Sequence, residues 1–128
     1  VASLVGSEMC IRDSQYTSAS LVSSNKQLST PSSIDSITSS NGQEDHVSMG
    51  ANGANQLRDI VENLYQILAI ETIVSVQAKE FNNYKSSKTV NEFISAIRKI
   101  HPKISSDRVF HNDIAKVSKF LKKNRRLG

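Results

Sequence analysis

Between Leu57 and Phe81 the chain contains no glycine, no proline and no cluster of turn-forming residues. Within that stretch Leu57, Ile60, Val61, Leu64, Ile67 and Leu68 recur at steps of three and four, which is the period of one helix face. From Ile67 to Val76 the pattern turns apolar almost all round. The β-branched run Ile70, Thr72, Ile73, Val74 and Val76 would suit a strand, but the missing turn signal favours a continuous helix. The spacing predicts one long helix over residues 46–81. At 1.5 Å per residue such a helix reaches roughly 50 Å, more than the width of a small domain. A helix apolar on every side must be covered on every side. The expected fold is therefore all-α: a long central helix plus shorter helices, forming part of a multi-helix bundle completed by other chain segments or other subunits.

The flanking segments supply those shorter helices. Residues 15–27 read as a helix whose small face, Tyr16, Ala19, Ser20, Ser23 and Ser24, suits close packing. Residues 28–45 read as a loop, because Pro31 blocks a helix interior and about half of the segment is Ser or Thr. Ile34 and Ile37 are its expected apolar anchors, and Gly42 its flexible joint. A loop of this length in a compact domain is usually functional when ordered. After a polar break at 82–88, Thr89 with Glu92 forms a capping-box pattern for a helix over residues 89–100. Its apolar face is Val90, Phe93, Ile94, Ile97 and Ile100, and His101-Pro102 ends it. Asn112 is the expected cap of a last helix over 113–123, with Ile114, Val117 and Leu121 inward and Lys116, Lys119 and Lys123 outward. Residues 1–14 show no period and are expected to lie outside the domain, as disordered or artefactual sequence. The final residues, 122–128, are expected to fray.

Charge and cysteine content narrow the classes further. The formal net charge is +4, but residues 1–78 carry three basic and eight acidic side chains (−5), while 79–128 carry thirteen basic and four acidic (+9). That asymmetry admits a basic helical module binding nucleic acid. The sequence offers no base-stacking aromatics or reading motif to support it, so a solvated outer face and no nucleic-acid partner are expected. No apolar run approaches the ~20 residues that span a bilayer, so no membrane partner is expected. The single cysteine, Cys10, excludes an internal disulfide framework and fits a reducing, cytoplasmic setting. One Cys and three scattered His do not make a metal site.

The densest chemistry lies in Gln43-Glu44-Asp45-His46-Val47-Ser48-Met49-Gly50, with two carboxylates and an imidazole in consecutive positions. At the mouth of a helix, unpaired N–H groups can hold and aim a carboxylate. The same residues also suit a plainer role, with Asp45 or Ser48 capping the helix and Glu44 solvated.

The octet, with QYTSASLVSSNKQL before it and LAIETIVSVQAKEF after it, closely resembles the aromatic amino acid lyases, and among them the histidine ammonia-lyases. These enzymes carry an internally formed methylidene-imidazolone (MIO) electrophile. The resemblance runs from about Gln15 to Ile114, and Asp107-Arg108 followed by Asp113-Ile114 looks like the end of that family's sequence. It implies an all-α cytoplasmic homotetramer with a shared helical core and active sites built from more than one subunit. It also implies non-oxidative loss of ammonia from L-histidine to give trans-urocanate. Glu44 matches the carboxylate that would accept the substrate's imidazole N–H and steady charge developing there. Relatives acting on phenylalanine or tyrosine typically carry Gln at that place. The resemblance leaves Asp45 to loop positioning and capping, His46 to structural hydrogen bonding and Tyr16 to packing. The MIO group forms from Ala-Ser-Gly, which occurs nowhere here; Ala2-Ser3 is followed by Leu4. No cofactor-binding residue is therefore expected in this stretch. Because the family's chains are several times longer, the sequence is expected to be a C-terminal fragment without lyase activity of its own. The rival readings are an MIO lyase or aminomutase acting on tyrosine or phenylalanine, and the basic nucleic-acid-binding module.

Overall fold

A computed structural model describes residues 8–82, 84–106 and 108–124, with side chains described from residue 11 onward. Asn83, Asp107, residues 1–7 and residues 125–128 lie outside the described residues, and with them part of the expected polar break and of the expected frayed end. Among the described residues the structure is all-α: α1 (Glu8–Leu28), α2 (Gly50–Lys79), α3 (Lys88–Ile100) and α4 (His111–Lys123), with two 3-10 turns at Ser32–Asp35 and Ser40–Gly42. No helix among them is long and apolar enough to cross a membrane. The chain divides into two compact units, residues 1–19 with 65–128, and residues 20–64; α1 and α2 each contribute to both.

The first unit holds the core. Ala69, Ile73 and Val76 of α2 pack with Ile97 of α3, Val117 of α4, and Ile104 and Phe110 of the connection between them. Phe93, Ile94, Ile100, Ile114, Phe120 and Leu121 close around this cluster. The inward faces expected for the last two helices are therefore observed, except that Val90 is 47% exposed. Lys116, Lys119 and Lys123 face solvent as expected. Burying such side chains is worth roughly 1.5–3 kcal/mol each, which makes this cluster the main source of cohesion.

Polar side chains finish what the apolar ones begin. Gln77 is 2% exposed. Its amide nitrogen donates to the Ile104 carbonyl at 3.2 Å, and its amide oxygen accepts the Ile104 N–H at 3.2 Å. One side chain thus satisfies both backbone groups of a buried loop residue, which would otherwise carry a desolvation penalty. Arg98 donates to the Val76 carbonyl at 3.1 Å and to Glu80 at 3.0 Å. It meets a carbonyl in the last turns of α2, where a cation is favoured.

Helix ends differ from the sequence expectations for local reasons. The long helix starts at Gly50 rather than at residue 46, because Met49 takes a left-handed φ of 51° and breaks the helical path. It ends at Lys79 rather than 81, the next N–H groups turning to tighter bonds such as Glu80 N–H to Gln77 C=O. The third helix is capped by Ser87, whose hydroxyl accepts the Val90 N–H at 3.3 Å; Thr89 lies inside the helix and does not cap it. Glu92 instead stands 4.0 Å from Lys88, an exposed pair worth little. In the last helix Asn112 is an interior residue, and Phe110 occupies the cap position with no side-chain capping bond.

The first helix starts at Glu8, inside the stretch expected to lie outside the domain. Its inward stripe is Ile11, Ser14, Ser18, Leu21, Asn25 and Leu28, all at steps of three or four. The expected small face is the wrong one: Tyr16 is 68% exposed, and Ala19, Ser20 and Ser23 face solvent. A window cut at 15–27 hides Ile11 and Leu28, two of the three large apolar residues of the true stripe, and leaves only Leu21 inside it.

In the second unit, Asn63 donates to Asn25 at 2.8 Å and Ser32 donates to Gln56 at 2.6 Å, joining α1 and the loop to α2. Ile34 and Ile37 do not anchor the loop; they are 74% and 66% exposed. Leu57, Val61, Leu64 and Leu68 form an apolar stripe along α2 that also remains exposed. The covering that a long apolar helix requires is thus only partly supplied by the described residues.

Candidate functional site

The octet folds as the return arm of a small loop. Ser40, Asn41 and Gly42 all take left-handed backbone angles, with φ of 51°, 56° and 84°. Glycine adopts that region freely, while Ser and Asn reach it at some cost, so the reversal is concentrated at three residues. It brings Glu44 back beside Ser39, where the Ser39 N–H donates to the Glu44 carbonyl at 2.7 Å and the Glu44 N–H donates to the Ser39 carbonyl at 3.3 Å. Both main-chain groups of Glu44 are therefore committed, while its side chain is exposed.

A second anchor follows directly. The Ser36 hydroxyl accepts the Val47 N–H at 2.9 Å and donates to the Asp45 carbonyl at 3.3 Å. Residues 45–48 have no helical or strand pairing, and Met49 only the bond by which its carbonyl accepts the Gly53 N–H at the start of α2. This single hydroxyl takes the place that a regular ladder would fill. Ser36 was treated in the sequence as one of many loop serines. Its role is legible only once the reversal at residues 40–42 brings Asp45 and Val47 back to it.

Several expectations for the octet need correction. Glu44 does not sit at a helix mouth, since α2 begins only at Gly50. Asp45 lies too far upstream to cap that helix, and Ser48 precedes the left-handed Met49 rather than the first helical residue. His46 is exposed, and no hydrogen bond to its imidazole occurs among the described residues. Tyr16 is exposed rather than packed. A cavity of about 400 Å³ in this unit is lined by Thr30, Pro31, Ser32, Ile34, Asp35, Asn52 and Gln56; Glu44 is not among its walls. The described residues present the carboxylate without enclosing a pocket around it.

The first unit contains an ionisable cluster that sequence reasoning did not assemble. His101 is fully buried, with Nδ1 2.9 Å from Asp113 Oδ2. Arg108 reaches the same carboxylate oxygen at 2.8 Å and donates to the Pro102 carbonyl at 3.3 Å. A carboxylate only accepts, which puts the hydrogen of a neutral His101 on Nδ1 and leaves Nε2 an acceptor. That Nε2 is buried and has no hydrogen-bond partner among the described residues. Burial holds the His101 pKa below its ordinary 6.5, opposed by the hydrogen bond and charge of Asp113 and assisted by the charges of Arg108 and Arg98. Phe110 stands edge-on to the imidazole, with ring centroids 5.9 Å apart, and also lies under the Arg108 guanidinium. The cluster ties both ends of the α3–α4 connection together. In sequence its signals are a His beside a helix-ending proline and the family-like pattern holding Arg108 and Asp113, and neither tells that the three meet.

Comparison with known proteins gives the family of the chain. The sequence profile described as "Aromatic amino acid lyase" matches residues 3–99. That span starts earlier and stops sooner than the Gln15 to Ile114 stretch expected to carry the likeness. The chain belongs to the aromatic amino acid lyase family. Histidine ammonia-lyases of Staphylococcus aureus strains JH9 and N315 are each 47% identical to it over 112 residues, which is 86% of this chain and 22% of theirs. The crystal structure of histidine ammonia-lyase from Trypanosoma cruzi matches 85% of this chain with a TM-score of 0.79 and 37% identity, and 22% of that chain is covered. The chain thus spans about a fifth of the length of the relatives it matches.

Proposed function

We propose that this chain forms the segment of a histidine ammonia-lyase that recognises the substrate's imidazole, in an enzyme converting L-histidine to trans-urocanate and ammonia. The observation that carries this reading is Glu44, exposed on a loop whose backbone is tied down on both sides of it. The 47% identity to histidine ammonia-lyases supports the choice of substrate. A carboxylate held beside an imidazole accepts its N–H and lowers the energy of positive charge developing on the ring. The amide of a glutamine could accept the same hydrogen bond without opposing that charge.

The reading includes a homotetramer in the cytoplasm and an MIO electrophile that captures electron density from the substrate. The residues present do not fit the making of that group, since the sequence has no Ala-Ser-Gly. The chemistry assignable to this chain is recognition and electrostatic support of the ring. The test is a complete reading frame containing this segment, assayed with L-histidine, L-tyrosine and L-phenylalanine. Urocanate formation, with histidine strongly preferred, is the expected outcome. Preference for tyrosine or phenylalanine would overturn the substrate assignment.

A further inference from the structure

We infer that Ser36 is a positioning residue for the Glu44 carboxylate, an inference that rests on the reading of Glu44 as the imidazole-contacting acid. Glu44 has only its main chain to hold it, because its side chain must stay free for a ligand. The upstream hold is the paired N–H and C=O shared with Ser39. Downstream, the backbone of residues 45–48 has no regular pairing, and the Ser36 hydroxyl bridges the Asp45 carbonyl and the Val47 N–H. A hydroxyl can serve both because it carries one donor and two acceptor sites. Without it, the Val47 N–H, on a half-buried residue, loses its acceptor, and the two peptide units flanking His46, directly downstream of Glu44 and Asp45, can rotate. Rotation there frees the downstream end of the segment that carries Glu44, so the carboxylate can shift with it. An error of about 1 Å in a positioned group can lower a rate on the order of 100-fold.

Ser36 itself is well placed to be a fixed post. It follows the 3-10 turn Ser32–Asp35 as its C-cap, in an extended conformation with φ −64° and ψ 132°. That turn is tied to α2 by the bond from Ser32 to Gln56. The hydroxyl therefore transmits the position of α2 to the acid through a short chain of named contacts: Gln56, Ser32, the turn, Ser36, and the peptides flanking His46.

The experiment is a double-mutant cycle in the complete lyase, with Ser36→Ala, Ser36→Thr, Glu44→Gln and the Ser36→Ala/Glu44→Gln pair. Ser36→Ala is expected to lower kcat/KM for L-histidine by about 10- to 100-fold with an unchanged melting temperature, and Ser36→Thr, which keeps the hydroxyl, to recover most of it. In the Glu44→Gln background the added Ser36→Ala change is expected to cost less than about threefold, since the group being aimed has already been altered. Additive losses, or a Thr variant as poor as Ala, would show a general structural role and overturn the inference. Normal turnover for Ser36→Ala beside a crippled Glu44→Gln overturns the inference while leaving the Glu44 reading intact. Normal turnover for Glu44→Gln removes both.

Discussion

At position 44 main chain and side chain have separate tasks. The peptide groups make the pairing with Ser39, and the carboxylate takes no part in it. Glu44→Gln in the complete enzyme is therefore expected to reduce histidine turnover on the order of 100-fold while leaving the melting temperature unchanged, as steady-state assay and thermal denaturation would show. Asp113 is the opposite case: its carboxylate serves both His101 and Arg108. Asp113→Ala leaves the buried His101 Nδ1–H without its acceptor and removes one partner of the exposed Arg108, and should destabilise the first unit by about 1–3 kcal/mol, read from a urea denaturation midpoint. Of these two acids only Glu44 was legible as a candidate in the sequence, since it lies in a motif. Asp113 stands out in the sequence only as part of the Asp107-Arg108 and Asp113-Ile114 pattern, which gives it no role, and it acts through His101, a partner twelve positions away.

Each connection between helices depends on a few side chains that replace backbone ladders. Gln77 serves both main-chain groups of Ile104, so Gln77→Leu should cost about 1–3 kcal/mol for each group left bare, measurable by chemical denaturation. The His101 cluster makes the α3–α4 connection sensitive to acid. Its folded pKa lies below the ordinary 6.5, so as pH falls through that value the unfolded chain takes up a proton that the folded chain refuses. Stability should decline from there until the folded pKa is reached, and level off below it. Denaturation midpoints measured from about pH 7.5 to pH 5.5 should show this slope, and His101→Gln should flatten it. The bodies of the helices were readable because Phe93, Ile94, Ile97, Ile114, Val117 and Leu121 repeat with helical period. Their ends were not, because a cap such as Ser87 or a break such as Met49 depends on backbone angles that many sequences allow. The inward face of α1 was missed because Ile11 and Leu28 fell outside the helix as first drawn.

For the molecule as a whole, the exposed stripe Leu57, Val61, Leu64 and Leu68 shows that α2 has apolar area to bury beyond what the described residues cover. The isolated chain is expected to associate with rising concentration in sedimentation velocity runs, and Leu64→Lys to suppress that association. The same chain is expected to produce no urocanate from L-histidine, because Ala-Ser-Gly is absent from it; appreciable absorbance growth would contradict the proposed division of roles. The run of apolar residues between Ile67 and Val76, from which the sequence predicts outside packing, is largely buried by this chain itself, as Ala69, Ile70, Ile73 and Val76 show; the uncovered apolar area lies at Leu57, Val61, Leu64 and Leu68 instead, because α3 and α4 pack only on the later turns of α2.

The pairing of Ser39 with Glu44 through peptide groups alone has a consequence for how such enzymes diversify. Any residue that tolerates extended backbone could occupy position 44 without dismantling the hairpin that carries it. On the proposed role of Glu44, chemical preference and structural integrity are thereby uncoupled at this one locus, and a single replacement there is expected to alter the former while the loop keeps its pairing.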